Sequence, residues 1–286
     1  MMNWAAPAKL NLFLYITGQR EDGYHNLQTL FQLLDYGDEL TFSPRQDNQI
    51  QLTTFFENVA QEDNLIYIAA TRLRDYAITH KLMLPQPFGI DIAINKKLPM
   101  GGGLGGGSSN AATVFVALNQ LWQLNLTKTE LMKLGLTLGA DVPIFIFGHS
   151  AFAQGVGDKL QSVDVDEKWY LVIKPNISIA TASIFKHPQL KRDSVTKNIT
   201  QLLNEPFSND CQPIVCQLYP EIDQLIQFMS QKAPTRLTGT GACIFSECTS
   251  KQQAEILQLD LLHHPLSTLI TTSFIAKGVN QSPLLT

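Results

Sequence analysis

A run of glycines followed at once by an uncharged segment constrains this chain more than any other feature. Six of the seven residues from 101 to 107 are glycine, and no charged side chain occurs from there to residue 122. Apolar residues recur in the second segment at helical spacing, at Ala111, Phe115, Leu118 and Trp122. This pattern predicts a helix that is buried on most sides, with Ser108 or Ser109 as its N-cap. Glycine amides can approach a ligand closely and a helix N-terminus favours anions, so the segment predicts a phosphate-binding loop.

The glycine run does not fit the two best-known phosphate-loop patterns. A P-loop ends in Gly-Lys-Ser/Thr, whereas Gly107 is followed by two serines. The dinucleotide pattern Gly-x-Gly-x-x-Gly matches at Gly101, Gly103 and Gly106. However, Pro99 separates the run from the predicted strand before it, and no acidic residue ends a second strand about 20 residues later. The run therefore predicts phosphate binding of a third kind, with a dinucleotide-dependent oxidoreductase kept as an alternative.

The composition excludes several broad classes of protein. The 286 residues are 44% hydrophobic and 16% charged, which supplies a large core and excludes a disordered chain. A net charge of −4 argues against a protein that coats nucleic acid. No stretch has the roughly 20 consecutive apolar residues of a membrane span, and the N-terminus lacks the regions of a secretory signal. We therefore expect a cytoplasmic protein with no nucleic acid, no membrane and no obligatory protein partner.

Cysteine and histidine spacing does not indicate a metal site. The four cysteines form two pairs, each with four intervening residues and no histidine close by, and we expect reduced thiols at Cys211, Cys216, Cys243 and Cys248. Four of the histidines also lack the spacing of a ligand set. We expect structural or surface roles for His149, His187, His263 and His264.

Hydrophobic periodicity predicts an α+β chain in two parts. In the first part we predict strands at 9–17, 27–34, 38–43 and 89–97, helices at 64–80, 108–122 and 128–138, and a hairpin at 150–163. Asp63 is the predicted N-cap of the 64–80 helix. In the second part we predict strands at 169–173, 242–248 and 269–276, helices at 221–231 and 251–257, and an irregular polar stretch at 186–212. The pattern restarts near residue 160, which predicts two domains, 1–160 and 161–286.

Three polar residues stand out in apolar surroundings. Asp141 lies in GADVPIF, between a predicted helix and a predicted apolar strand. A carboxylate there is unusual unless it has a partner or a chemical role, although a helix cap or a turn before Pro143 would also explain it. Lys9 and Asn11 are two residues apart in a predicted strand, so they share one face. A strand lysine alone is most often solvated, so the pattern by itself leaves the role of Lys9 open.

Three separated segments together resemble the motifs of the kinase superfamily named for galactose, homoserine, mevalonate and phosphomevalonate, the GHMP kinases. They are PAKLNLFL at 7–14, PMGGGLGGGSSNAA at 99–112 and LTGTGACIF at 237–245. The resemblance covers about residues 3–280 and departs from the pattern at Thr240, where serine is expected. It implies an α+β fold with an N-terminal domain like the second domain of ribosomal protein S5 and a ferredoxin-like C-terminal domain.

Two further segments indicate one branch of the superfamily. REDGYHNLQTLFQLLDYGD at 20–38 and GADVPIFIFG at 139–148 are similar to the branch of the superfamily that phosphorylates a cytidine diphosphate-linked polyol of the non-mevalonate isoprenoid pathway. This branch implies a small-molecule substrate with a base at one end and a hydroxyl acceptor at the other. ATP and Mg²⁺ are the implied cofactors.

The resemblance also implies the residues of the site. Those implied to surround ATP are Pro99, Met100, Gly101, Gly102, Gly103, Leu104, Gly105, Gly106, Gly107, Ser108, Ser109, Asn64, Leu65 and Lys96. Ser108 is the implied contact to phosphate or Mg²⁺. Asp141 is implied to accept or orient the proton of the attacking hydroxyl, while Lys9 holds Asp141 ionised and helps to stabilise the transferring phosphoryl group.

A second set of residues is implied to bind the substrate, namely Asn11, Tyr24, His25, Thr181, Phe185, Gly239 and Gly241. His25 is implied to hydrogen-bond the cytosine, with Tyr24 and Phe185 as the aromatic walls of its pocket. Thr181 is implied to contact the polyol or the diphosphate. The second glycine turn, 239–241, is implied to close the site from the C-terminal domain.

Alternatives from three classes stay open at this point. A homoserine or mevalonate type of kinase would share the glycine loop, but its substrate has no base to stack on an aromatic residue. An oxidoreductase would bind a nicotinamide dinucleotide and would not hydrolyse ATP. A nucleotide-binding regulator would keep the loop without the chemistry, and the presence of both Lys9 and Asp141 argues against it.

Overall fold

Strands and helices alternate along the chain in an α+β arrangement, as predicted. The structure, a computed structural model, describes residues 2–55, 59–82 and 87–285. The strands are β1 (Met2–Gln19), β2 (His25–Pro44), β3 (Ile50–Leu52), β4 (Ile90–Asn95), β5 (Ala151–Gly155), β6 (Lys159–Ser162), β7 (Trp169–Pro175), β8 (Thr235–Leu237), β9 (Ile244–Cys248) and β10 (Ile270–Val279). The α-helices are α1 (Leu65–Thr79), α2 (Gly106–Leu121), α3 (Lys128–Leu136), α4 (Val142–Phe147), α5 (Thr181–Phe185), α6 (Ile199–Leu203), α7 (Gln212–Leu218), α8 (Pro220–Ser230) and α9 (Lys251–His263).

β2 is the central strand of the sheet. On one edge it pairs with β1, from Met2 opposite Phe42 to Gln19 opposite His25. On the other edge it pairs with β4, β5 and β10. β10 continues the sheet to β7, β9 and β8, and the strand order is β3-β4-β2-β10-β7-β9-β8. A single hydrogen-bonded path therefore connects the glycine-loop part of the chain with the C-terminal part.

Three groups of buried apolar side chains hold these elements together. The first lies with α1 to α4 and includes Leu73, Phe115 and Phe145. The second lies with α8 and α9 and includes Ile222 and Leu257. The third combines residues of β1 with residues of β7 and β9, as Leu10, Phe13, Tyr170 and Phe245 show. Burying one such side chain contributes about 1.5–3 kcal/mol, so this third group fixes β1 firmly against the C-terminal strands.

Two predictions are wrong, namely the division of β2 into two strands and the strand after Asp141. The segments 27–34 and 38–43 form one strand, β2, because a register shift opposite Pro7 and Lys9 absorbs the residues between them. The apolar run after Asp141 forms α4 and not a strand. A short, fully buried run does not distinguish the two periods. Pro143 in the first turn suits a helix start.

Both predicted N-caps are also wrong. Asn64, and not Asp63, caps α1, since its side chain accepts a hydrogen bond from Ile66 N at 3.0 Å. α2 begins at Gly106 after Gly105, which has a φ of 74° and no capping side chain, so neither Ser108 nor Ser109 is the cap. The glycine run therefore extends into the helix, and the helix starts closer to the loop than predicted.

The remaining elements follow the predicted order with shifted ends. The hairpin at 150–163 is formed by β5 and β6, while β8 and α7 had no signal in the periodicity. No helix of the described ranges has both the length and the hydropathy needed to cross a membrane.

Candidate active site

A cavity of about 750 Å³ opens between β1, the start of β2, the glycine loop and α5. Its volume is in the range of small-molecule sites. Many of the residues singled out from the sequence line it, although they are far apart in the chain. They are Lys9, Asn11, Tyr24, His25, Gly103, Ser108, Asp141, Thr181, Phe185 and Gly239.

Lys9 and Asp141 meet on one wall of this cavity. Lys9 Nζ lies 3.4 Å from Asp141 Oδ2, and it donates hydrogen bonds to Asn11 Oδ1 at 2.6 Å and to Gly103 O at 2.8 Å. The Lys9 side chain is 3% exposed and that of Asp141 is 38% exposed. A buried ammonium costs several kcal/mol unless it is paired, and these three oxygens compensate it. The carboxylate is left facing both the ammonium and the open volume.

Register shifts in β1 set the positions of Lys9 and Asn11. One shift lies between Pro7 and Lys9 and another between Asn11 and Phe13, and such bulges re-aim side chains. Asn11 is then held from two directions. Its Nδ2 donates to Thr29 Oγ1 at 2.8 Å and its backbone N donates to Thr238 Oγ1 at 2.9 Å. The first and third sequence motifs therefore meet at this asparagine.

The two glycine segments pack so closely against each other that Gly102 and Gly103 have no room for a side chain. Cys243 N donates to Gly102 O at 3.1 Å. A Cβ added to Gly103 would lie 2.6 Å from Thr238 O, and one added to Gly105 would lie 2.7 Å from Phe145 Cζ. Both glycines have positive φ, 75° and 74°, which side-chain-bearing residues rarely adopt. Glycine is required here for close packing as well as for backbone conformation.

The residues predicted near adenine lie on another side of the glycine loop. Lys96 Nζ would be 3.5 Å from a Cβ at Gly106, and Leu65 Cδ1 would be 3.2 Å from one at Gly107. Neither Lys96 nor Leu65 is part of the cavity lining. The side-chain oxygen of Asn64 accepts the hydrogen bond that caps α1.

Asp38 is a residue that the sequence analysis missed. It is 1% exposed, and its Oδ2 accepts from Lys96 Nζ at 2.7 Å. Its Oδ1 accepts from the backbone N of residues 97 and 98, both at 2.8 Å. This buried carboxylate fixes both Lys96 and the chain that enters the glycine loop. Asp38 is the last residue of the segment 20–38 that carries the resemblance, but nothing in that segment signals that its carboxylate is buried.

Two aromatic rings that line the same cavity stack on each other. The rings of His25 and Phe185 have centroids 5.1 Å apart and an interplanar angle of 26°. His25 is 6% exposed, whereas Tyr24 is 66% exposed at the cavity edge. In this structure the ring stacked on Phe185 is therefore that of His25 and not that of Tyr24. Nearby, Thr181 Oγ1 lies 3.0 Å from Thr240 Oγ1, so the threonine at the expected serine position makes a hydroxyl contact.

Arg192 is a second residue that the sequence analysis missed. Its Nε donates to His25 Nε2 at 3.0 Å. Burial lowers the pKa of His25 below its ordinary value of 6.5, and the positive charge of Arg192 lowers it further. Arg192 lies in the polar stretch 186–212, where no periodicity or motif marks it. Only the fold brings it to the ring.

The cysteines and the other histidines make no metal site in the part of the chain that the structure describes. All four cysteines are free thiols, as expected for a reduced protein. No group of three His, Cys, Asp or Glu side chains among the described residues is placed to hold a metal ion. His149 contacts Ser162 Oγ at 2.9 Å, and His264 caps the turn of 3₁₀-helix Pro265–Leu269.

Comparison with known proteins identifies the class. The family model described as GHMP kinases N terminal domain matches residues 64–149, and the one described as GHMP kinases C terminal matches residues 192–264. The chain belongs to the GHMP kinase family, and it is a small-molecule phosphotransferase with the α+β fold that the sequence resemblance implied. This membership excludes the dinucleotide-dependent oxidoreductase.

Individual members of the family are also similar to the chain. The chain is 52% identical over 281 residues to 4-diphosphocytidyl-2-C-methyl-D-erythritol kinase of Vibrio cholerae serotype O1, an alignment that covers 98% of this chain and 92% of the relative. It also resembles a crystal structure of 4-(cytidine 5′-diphospho)-2C-methyl-D-erythritol kinase, with a TM-score of 0.78, 28% identity and coverage of 97% and 99%. A homoserine kinase from Cytophaga hutchinsonii shares the fold at a TM-score of 0.70 and 18% identity, over 98% of this chain and 95% of that one.

Proposed function

We propose that this chain transfers the γ-phosphate of ATP to the 2-hydroxyl of 4-diphosphocytidyl-2-C-methyl-D-erythritol, in the non-mevalonate isoprenoid precursor pathway. One observation carries the proposal. A single cavity of about 750 Å³ has the Lys9–Asp141 pair beside the glycine loop and the His25–Phe185 stack at another wall. Such a cavity suits a substrate with a hydroxyl at one end and a base at the other. The name of the 52% identical relative supports the same substrate.

Asp141 is the proposed catalytic acid–base residue. Phosphoryl transfer depends on positioning and on charge stabilisation, and a carboxylate can accept or orient the proton of the attacking hydroxyl. The Asp141 carboxylate lines the cavity, and its Oδ2 lies 3.4 Å from Lys9 Nζ. Lys9 in turn is fixed by Asn11 and by the carbonyl of Gly103. We propose that this ammonium lies beside the transferred phosphoryl group and stabilises the negative charge that develops on it.

The glycine loop and the start of α2 are the proposed ATP site, and the described residues fit a phosphate chain there. Gly102, Gly103 and Gly105 have no room for a side chain, and main-chain amides without side chains can approach phosphate oxygens closely. Near the start of α2, Ser109 Oγ and Asn110 Oδ1 are buried polar atoms with no hydrogen-bond partner among the described residues, and such atoms are rare in proteins. We propose the adenine near Asn64, Leu65 and Lys96.

The oxygen donors at the cavity fit Mg²⁺ as well. Ser108 and Asp141 both line it, and Mg²⁺ prefers oxygen ligands while keeping water and substrate phosphates in most of its positions. A dedicated protein cage is therefore not needed. When bound, the ion would neutralise the charge on the β- and γ-phosphate oxygens.

His25, Phe185 and Tyr24 are the proposed cytosine pocket. Stacking of a base on an aromatic ring contributes about 1–3 kcal/mol, and Phe185 already presents its ring to this part of the cavity. Thr181, which lines the same cavity, is the proposed contact to the diphosphate or polyol. The turn of Gly239 to Gly241 is proposed to close the site from the C-terminal part, and Gly239 lines the cavity beside Asn11.

We also propose that the chain divides into domains 1–160 and 161–286 and that it acts in the cytoplasm without an obligatory protein partner. The domain division is supported by two helix-containing cores, of which the first is formed by residues of 6–153 and the second by residues of 171–261 together with Leu14 and Ile16 of β1. Four free thiols suit a reducing compartment.

ATP consumption with a panel of acceptors tests the proposed function. The cytidyl polyol is expected to support turnover, with one ADP formed per phosphorylated product, while mevalonate and homoserine support none above background. Consumption with homoserine or mevalonate, and none with the cytidyl substrate, would assign the chain to another branch of the family. Arg45→Met serves as a matched control, because Arg45 contacts Asp47 and Asp91 away from the cavity.

A further inference from the structure

Arg192 makes an unusually complete set of hydrogen bonds around the base pocket. Its Nε donates to His25 Nε2 at 3.0 Å. Its Nη2 donates to the carbonyls of Phe185 and His187, both at 2.9 Å, and its Nη1 donates to the carbonyl of Leu190 at 3.0 Å. A guanidinium offers five donors in a rigid plane, and four are used here. The plane of Arg192 is therefore fixed relative to both aromatic residues of the pocket.

The bond from Arg192 decides which nitrogen of His25 carries the proton. An arginine only donates hydrogen bonds and stays protonated, so His25 Nε2 must accept and cannot carry a proton. A neutral imidazole has one N–H, which leaves the proton on Nδ1. The lowered pKa of His25 agrees with a neutral ring. His25 is thus held as the Nδ1–H tautomer, and its remaining ring nitrogen is a donor.

We infer that Arg192 is a positioning residue that fixes His25 as an Nδ1–H donor and thereby makes the base pocket prefer cytosine over uracil. The inference rests on the proposed function, in which this pocket binds the cytidine base. Cytosine presents acceptors at N3 and O2, whereas uracil carries a hydrogen on N3. A donor that cannot change its tautomer can pair with N3 of cytosine and opposes N3–H of uracil.

The carbonyl bonds of Arg192 add a second effect. They hold the short segment 185–190 against the guanidinium, so the Phe185 ring keeps its place on the His25 ring. A pocket whose parts are fixed before binding loses less freedom when the ligand arrives. Arg192 therefore sets both the donor and the stacking surface without touching the reacting atoms.

The tautomer is measurable without any ligand. Nitrogen-15 NMR of the histidine-labelled full chain distinguishes the two tautomers by their ring nitrogen shifts, and His25→Gln assigns the signal among the six histidines. The wild type is expected to show a protonated Nδ1 and an unprotonated Nε2. Arg192→Met is expected to show a mixture of tautomers, and Arg45→Met is expected to match the wild type. An Nε2–H signal in the wild type would overturn the inference even if no Arg192 variant folds.

Calorimetric binding of CDP and UDP tests the consequence. We expect the wild type to bind CDP at least about tenfold more tightly than UDP, since two donors that face each other both lose a hydrogen bond. We expect Arg192→Met to reduce the ratio to near one. Arg192→Lys keeps the charge but cannot reproduce the planar fork, so we expect the same loss. An unchanged ratio in both variants would overturn the inference while leaving the proposed function standing. A wild type that binds neither nucleotide would overturn the proposed function and, with it, the base preference.

Discussion

Substitution of one glycine in the phosphate loop separates backbone strain from loss of space. Gly105 has a φ of 74°, and an added Cβ would lie 2.7 Å from Phe145 Cζ and 3.3 Å from Lys9 Cε. Gly101 has a φ of 64°, but nothing lies within 4 Å of its Cβ position. Gly105→Ala therefore introduces strain and a clash, whereas Gly101→Ala introduces strain alone.

The expected magnitudes follow from these two contributions. A left-handed conformation costs about 1–2 kcal/mol for a residue with a Cβ, and overpacking costs about 1–3 kcal/mol. Reduced freedom of the unfolded chain offsets about 0.4–1 kcal/mol in either variant. Gly105→Ala is thus expected to lower the free energy of unfolding by about 1–4 kcal/mol. Gly101→Ala is expected to lower it by no more than about 1.5 kcal/mol.

Urea unfolding followed by circular dichroism measures both variants. The difference between them reports the clash alone, because strain and unfolded-state freedom are common to both. Displacement of Phe145 or Lys9 is also expected to reduce kcat of Gly105→Ala by about 10–100-fold, since small misplacements of catalytic groups are costly. Equal stabilities of the two variants would show that the loop tolerates a side chain at 105, and the packing of Gly105 on Phe145 would then be refuted.

Three further outcomes are expected. CDP should raise the Tm of the wild type, and His25→Ala combined with Phe185→Ala should remove that rise in thermal scanning; an unchanged rise would misplace the base pocket. Because the pKa of His25 is lowered in the folded chain, the unfolded chain binds its proton more readily, so the contribution of His25 to stability is complete above about pH 6.5. This contribution is lost as the pH falls through the folded pKa, and urea midpoints of wild type and His25→Gln should converge there; a constant difference would contradict this. Burial raises the pKa of Cys211 and of Cys243 to about 12, so a thiol-reactive disulfide at pH 8 should label them far more slowly in the folded chain than in urea, and equal rates would contradict their burial.

Much of the fold can be predicted from the local sequence, because hydrophobic periodicity indicates which side chains are buried. The uncharged run from Gly106 to Leu121 is a helix with buried residues on most sides, as its composition predicts. By contrast, the VPIFIF run after Asp141 is short and wholly apolar, so neither period is expressed and only packing against neighbouring helices selects α4. The continuity of β2 could not be predicted from local sequence either, because it depends on a register shift with β1.

The sequence identified site residues to which a motif assigns a role. It did not identify those that reach the site only through contacts made in the folded chain. Lys9, Asp141 and the glycine loop lie in segments that resemble family motifs, and the structure brings them to one cavity. Arg192 has no such mark, and Asp38, although it is the last residue of the segment 20–38, was given no role by the resemblance. Asp38 reaches Lys96 across 58 residues of sequence, and Arg192 reaches His25 across 167. Both act by holding another side chain, which leaves no local signature in composition or spacing.

Turnover of Asp141→Asn tests most directly whether the carboxylate beside Lys9 carries the phosphoryl transfer. Calorimetry is expected to show ATP and CDP binding within a fewfold of wild type, because the substitution keeps the shape of the side chain. Steady-state phosphorylation of the cytidyl polyol is expected to show kcat lowered by about 10²–10⁴-fold. Asp164→Asn, at a carboxylate 81% exposed, is expected to retain wild-type turnover. Near-normal kcat in Asp141→Asn, with nucleotide binding intact, would remove Asp141 from the mechanism and contradict the assignment of the site.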